Sequence, residues 1–89
     1  MARQQNQLQL DVINGKDGVL VLVSLRCRTR PNIITRGTVS VNETNLKHRV
    51  SVLAGALAEQ HAQRYADPTD PDEVARAAES VFPQLGIPG

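Results

Sequence analysis

Aromatic side chains are almost missing from this chain: one Phe, one Tyr and no Trp stand among 89 residues. A core without large rings must be built from Val, Leu, Ile and Ala, each worth about 1.5 to 3 kcal/mol or less when buried. A chain of this length is one domain at most, and it buries roughly 60 to 65% of the surface that its unfolded form exposes. The stability margin is thin, and a partner subunit would widen it. Cysteine is equally scarce. Cys27 stands alone, which excludes an internal disulfide and a multi-cysteine zinc site, and its place in an apolar run predicts a buried thiol on a strand.

No apolar run approaches the ~18 residues of a membrane span. The polar start MARQQNQ does not read as a signal peptide, so the expected location is the cytoplasm or a particle assembled there, with no membrane partner. Glycine-rich phosphate loops, nucleophile elbows and paired carboxylates are missing as well. His48 and His61 lie 13 residues apart on one predicted helix, about 20 Å along its axis, too far to share a metal. The reading is a protein with no enzyme chemistry, no cofactor and no small-molecule substrate.

What is present is patterned. From Gly18 to Arg30 the sequence GVLVLVSLRCRTR keeps a two-residue beat, the period of a strand. Val19, Val21, Val23, Leu25, Cys27 and Thr29 share one face. On the other, Leu20 and Leu22 give way through Ser24 to Arg26, Arg28 and Arg30. Before it, Leu8, Leu10 and Val12 alternate with Gln7, Gln9 and Asp11, and Asn14-Gly15-Lys16-Asp17-Gly18 supplies hairpin-turn residues. Pro31 interrupts the pattern. Thr35, Gly37, Val39 and Val41 then alternate with Arg36, Thr38 and Ser40 in a third strand, antiparallel to the second because the connection is short.

The period then changes to that of a helix. Asn42-Glu43-Thr44-Asn45 carries capping residues for a helix running to about Ala66, whose stripe is Leu46, Val50, Leu53, Leu57, His61 and Tyr65. Asp70, Pro71 and Glu73 form a capping box for a second, shorter helix with Val74, Ala77, Ala78 and Val81 on its apolar face, stopped by Pro83. Leu85 and Ile87, in a Gly/Pro frame, predict a tail that docks as an extended arm. The expected class is α+β: a three-stranded antiparallel sheet, an N-terminal hairpin plus a third strand, packed on one long and one short C-terminal helix. Residues 1–6 read as a polar arm, 7–82 as the single domain and 83–89 as the tail.

The formal net charge of +1 conceals two opposite blocks. Between Arg26 and Arg49 six bases (Arg26, Arg28, Arg30, Arg36, Lys47, Arg49) face one acid, Glu43, a balance of +5. Between Glu59 and Glu79 six acids face two arginines, a balance of −4. An arginine ladder at about 6.5 to 7 Å spacing matches the repeat of phosphates along a nucleic-acid strand, with Arg36 and the Lys47-His48-Arg49 turn placed to extend it. The same arginines would serve equally against the acids Asp67, Asp70, Asp72 and Glu73 of a neighbouring subunit. A helix-turn-helix reader is disfavoured, because the second helix carries Asp72, Glu73 and Glu79 against Arg76 alone.

Two functions follow as expectations. The first is a non-enzymatic assembly subunit of a larger protein particle, such as a phage-like virion, gripping protein neighbours through hairpin, termini and charge blocks. The second is a small dimeric nucleic-acid-binding or regulatory protein with its arginine strand on phosphate. An adaptor that binds another protein through the long helix is a weaker third.

Overall fold

The hairpin expected from Asn14 to Gly18 closes where its turn chemistry demands. In the computed structural model, which describes residues 2–5 (backbone only), 7–66 and 68–88, strands β2 (Leu8–Gly15) and β3 (Gly18–Arg26) pair antiparallel. Gly15 lies opposite Gly18, leaving Lys16 and Asp17 as the loop. Gly18 has φ +132°, a conformation that an L side chain rarely adopts. The third expected strand is β4 (Ile34–Ser40), antiparallel to β3 with Val21 opposite Val39 and Val23 opposite Gly37.

The expected three-stranded sheet with its long and short helices is present, and it carries one strand more. Residues Ala2–Gln5, read from sequence as part of a polar arm, form β1 and pair antiparallel with β2, giving the order β1-β2-β3-β4. Nothing in the Gln-rich composition signals this, because the pairing is a backbone matter between the arm and an otherwise free strand edge.

The long helix α1 spans Leu46–Tyr65 and the short helix α2 spans Pro71–Val81. Both pack on one face of the sheet, α1 across β3 and β4 and α2 across β1 and β2, and they pack on each other. Between the layers lies an aliphatic core of Leu8, Leu10, Val21, Val23, Leu25, Leu46, Val50, Leu57 and Val81, closed by Phe82 and Leu85. Alternation and helical stripe predicted the strand and helix positions; Phe82 and Leu85 lie beyond both patterns. Leu53 and Tyr65, at the margin of the stripe, are half-buried.

Helix ends follow the sequence in part. Asp70 caps α2, its Oδ1 accepting the Asp72 N–H at 3.0 Å, with Pro71 at the first helical position. At α1 the expected side-chain cap is not made. Asn45 sits in the left-handed region at φ 57° with no side-chain cap hydrogen bond, and no acid occupies the first turn. Glu43 instead reaches Arg49, 3.4 Å from its Nε, and that Nε donates to the Thr44 carbonyl at 3.0 Å. The tail differs from the extended arm expected. Phe82–Leu85 makes one 3₁₀ turn, with Leu85 buried and Ile87 against the core. Pro83 explains it: lacking an N–H, it ends the α-helix yet fits the start of a new turn.

Candidate functional site

A basic strand face was the leading candidate, and the fold distributes its members. β3 ends at Arg26, four residues short of the ladder's end. Beyond it the chain turns back: the Cys27 N–H donates to the Ile33 carbonyl at 3.0 Å and the Ile33 N–H to the Arg30 carbonyl at 2.9 Å. Arg26 projects from the outer sheet face and its Nη1 donates to the Pro31 carbonyl at 2.5 Å, closing this loop. Arg30 is exposed within the turn. Arg36 stands on the outer face opposite Ser24, one diagonal from Arg26. Cys27 is fully buried, as expected, though it lies one residue past the end of the strand expected to carry it, with its Sγ 3.2 Å from Thr29 Oγ1.

Arg28 turns toward the link between the helices. Its Nε donates to Gln7 Oε1 at 2.6 Å. The Gln7 amide in turn donates from Nε2 to the Arg26 carbonyl at 2.8 Å and to the buried Thr69 Oγ1 at 3.2 Å. One glutamine thus ties together the start of β2, the end of β3 and the link between the helices. The recess around it is lined by Gln7, Arg28, Thr69, Asp70 and Glu73, so part of the basic block meets part of the acidic block inside one chain. Asp72 is exposed on the same first turn of α2, and Asp67 lies outside the described residues.

Lys47 and Arg49 do not extend the arginines. Ser40, just before α1, pairs with Leu20 at the hairpin end of β3, whereas Arg26 pairs with Ile34 at the other. Six residues of strand separate the two groups by about 20 Å. The six bases therefore form two groups: Arg26, Arg28, Arg30 and Arg36 at the loop end, where Arg26 and Arg28 line one open recess with Gln7 and Pro31, and Lys47 with Arg49 at the hairpin end.

Gln7 and Thr69 escaped the sequence reading. Gln7 was legible only as an exposed member of an alternating strand, and Thr69 as part of a linker; each gains its role from the other. Gln7→Ala should cost about 1 to 2 kcal/mol in urea denaturation, the net worth of its half-buried hydrogen bonds and of a partner lost to buried Thr69. A change below a few tenths would show that the clasp is decorative.

Two further surfaces are apolar, one on the outer sheet face and one beside the long helix, where an adaptor contact was expected. On the sheet face away from the helices, Ile13 pairs directly with Leu20, and Leu22 follows two residues along. All three are half-buried. At the β4 edge an open groove of about 660 Å³ runs between the strand and α1, lined by Thr38, Val39, Arg49, Val52, Leu53 and Ala56. Val52 is 56% exposed, the outlier among large hydrophobic residues of the described chain. His61, by contrast, is fully buried and hydrogen-bonded through Nε2 to Thr35 Oγ1, with Tyr65 edge-on at 5.5 Å.

Among the described residues no group of three His, Cys, Asp or Glu side chains is placed to hold a metal ion. No described helix is long and apolar enough to cross a membrane. Compared with protein-family models, curated proteins and solved structures, the chain has no match, so its function is argued from these surfaces alone.

Proposed function

We propose that this chain is a non-enzymatic building block of a larger protein assembly, held to neighbouring subunits through the outer face of its sheet at the hairpin end. The observation that carries this reading is the cluster of Ile13, Leu20 and Leu22 on a face that neither α1 nor α2 packs against. Aliphatic side chains on an uncovered sheet gain about 25 cal/mol for each Å² that a neighbour removes from water. A thin two-layer domain has a strong reason to use that gain. The hairpin beside the cluster and the acidic turn of α2 at the opposite end offer further contacts of distinct charge.

Light scattering and sedimentation velocity across a concentration series test the reading. The wild-type chain should form species beyond a dimer at high concentration, and Leu22→Lys should remove them while leaving the thermal midpoint nearly unchanged, because Leu22 lies outside the core. A chain that never exceeds a dimer, or oligomers indifferent to Leu22→Lys, would reject this face as the contact.

The phosphate-binding alternative draws less support from the geometry, since it needs one row of arginines, whereas the strand stops at Arg26, Arg28 is engaged by Gln7, and Lys47 and Arg49 lie at the far end of the sheet. Duplex DNA added at low salt should leave the sedimentation profile unchanged. A salt-dependent complex weakened by Arg26→Ala and Arg36→Ala would reverse the order of the two readings.

A further inference from the structure

β4 is an edge of the sheet, and the hydrogen bonds beside it show which of its main-chain groups face outward. The Val41 N–H donates to the Val19 carbonyl at 3.2 Å, and the Cys27 N–H to the Ile33 carbonyl at 3.0 Å. With the register Val21↔Val39, Val23↔Gly37 and Leu25↔Thr35, these two bonds set the phase of the ladder. The main-chain groups of Thr35, Gly37 and Val39 point toward β3, and those of Arg36 and Thr38 point away along the free edge. Edge strands are usually blunted by proline, lysine, a bulge or very short length. β4 is a seven-residue strand, ITRGTVS, without proline, and its one charged residue, Arg36, projects from the outer sheet face opposite Ser24.

From these observations we propose that β4 pairs antiparallel with β4 of a second copy of this chain, about a two-fold axis at Gly37, joining two sheets of the described order β1-β2-β3-β4 edge to edge. The proposal names the first contact of the assembly reading above and rests on it. Three features select a second copy as the occupant. The first is register. Pairing about Gly37 sets Arg36 opposite Thr38 of the other copy and exchanges four main-chain hydrogen bonds. A shift of one step sets Arg36 against Arg36, like charge on like charge; a shift the other way uses the Ser40 carbonyl, already accepting the Glu43 N–H at 3.1 Å.

The second feature is the position of α1. It packs on β3 and β4 alike, so its axis lies over the gap between them, half a strand spacing inside the edge. With strands about 4.8 Å apart, two-fold pairing brings the two α1 axes to about 9 to 10 Å, the distance at which helices pack. Gly37 matters here because it has no side chain: the Leu53 Cδ atoms lie 2.9 Å from where a Cβ would stand. Leu53 therefore sits low over the edge, next to the axis, with exposed Val52 and Ala56 beside it to fill the groove from both sides.

Charge is the third. The stripe Asn45, Arg49, Val52, Ala56 and Glu59 is exposed along one side of α1. Its first turn holds Lys47, His48 and Arg49 with no acid, against the positive end of the helix dipole, and Arg49 reaches back to Glu43 ahead of the helix. An antiparallel copy of α1 places that turn near the turn carrying Glu59 and aligns the two helix dipoles head to tail. The arrangement offsets a charge pattern that is unfavourable in the isolated helix.

Sedimentation velocity on the full-length chain, together with amide hydrogen exchange, tests the pairing. The wild type should sediment as a dimer at low micromolar concentration, with slow exchange at the Arg36 and Thr38 amides. Thr38→Pro removes an N–H that the monomer does not use for its ladder, and Val52→Glu sets two carboxylates beside the axis on an exposed helix position that leaves the monomer fold intact. Each should weaken the dimer about tenfold or more, and Val52→Glu should return the Arg36 and Thr38 amides to fast exchange. A wild-type monomer at tens of micromolar, or a dimer that survives both variants, overturns the edge pairing. If both edge variants keep species beyond a dimer while Leu22→Lys abolishes them, the edge pairing is wrong and the outer-face assembly reading stands.

Discussion

Replacing Leu25 by alanine should lower the stability of the fold by about 3 to 4 kcal/mol, the cost of a cavity at a site that cannot collapse. Leu25 is fully buried near the end of β3, flanked in register by Leu8 on β2 and Thr35 on β4. The sheet fixes it from both sides, and the helices lie across its face. A domain of this length is stable by about 4 to 13 kcal/mol in total. The loss therefore raises the unfolded fraction roughly 100- to 1,000-fold and lowers the thermal midpoint by about 15 to 25 °C. Leu25→Met, which conserves volume, should cost less than about 1.5 kcal/mol. Urea titrations followed by circular dichroism measure both, and a Leu25→Ala cost under 1 kcal/mol would show that the core has no such centre. With few aromatic residues to share the load, each buried leucine carries a large fraction of the total.

Thr35→Val is the second large effect, and its sign runs against local propensity. Valine has the shape of threonine and fits a strand at least as well. Thr35 Oγ1 is hydrogen-bonded to His61 Nε2, and His61 is fully buried under the sheet with Tyr65 edge-on to its ring. Removing the hydroxyl leaves that ring nitrogen buried without its partner from β4, at about 1 to 3 kcal/mol. Thr35→Ser keeps the hydroxyl and gives up one methyl group, about 1 kcal/mol or less at this half-buried position. The expected order of stability is wild type, then Ser, then Val, with the imidazole nitrogen shift reporting the change at His61 by NMR. A valine variant as stable as wild type would mean that the hydrogen bond contributes nothing to the interlayer contact.

These two residues mark what was legible in the chain. Leu25 was readable as core because strand alternation needs no tertiary knowledge: Val21, Val23 and Leu25 share a face whatever lies above them. The helical stripe from Leu46 to His61 was readable for the same reason, at a period of 3.6, and Asn14 to Gly18 named the hairpin through residues that tolerate positive φ. Asp70 declared the start of α2. Asn45 did not behave as a side-chain cap, because its backbone takes the left-handed conformation instead of the extended one from which a capping side chain reaches the first-turn N–H groups.

The candidate site was less legible. A strand beat continuing to Arg30 predicted one arginine row, but β3 stops at Arg26, where the chain folds back on itself and Arg26 binds the Pro31 carbonyl. Arg28 finds its partner in Gln7, 21 residues away, and Gln7 reaches Thr69, 62 residues away. No local pattern encodes those encounters.

By itself, then, the sequence determined the α+β class, the order of the three sheet strands and two helices read from it, the hairpin and most of the core, since all of these are properties of backbone period and turn chemistry. The tertiary structure alone decided that residues Ala2–Gln5 add a strand, that the helices leave one sheet face uncovered, and that β4 is left as an edge beside an exposed valine. It also divided the basic block between the two ends of the sheet. Those outcomes depend on which distant residues meet, and a charge or apolar side chain acquires its meaning from the neighbour that packing brings to it.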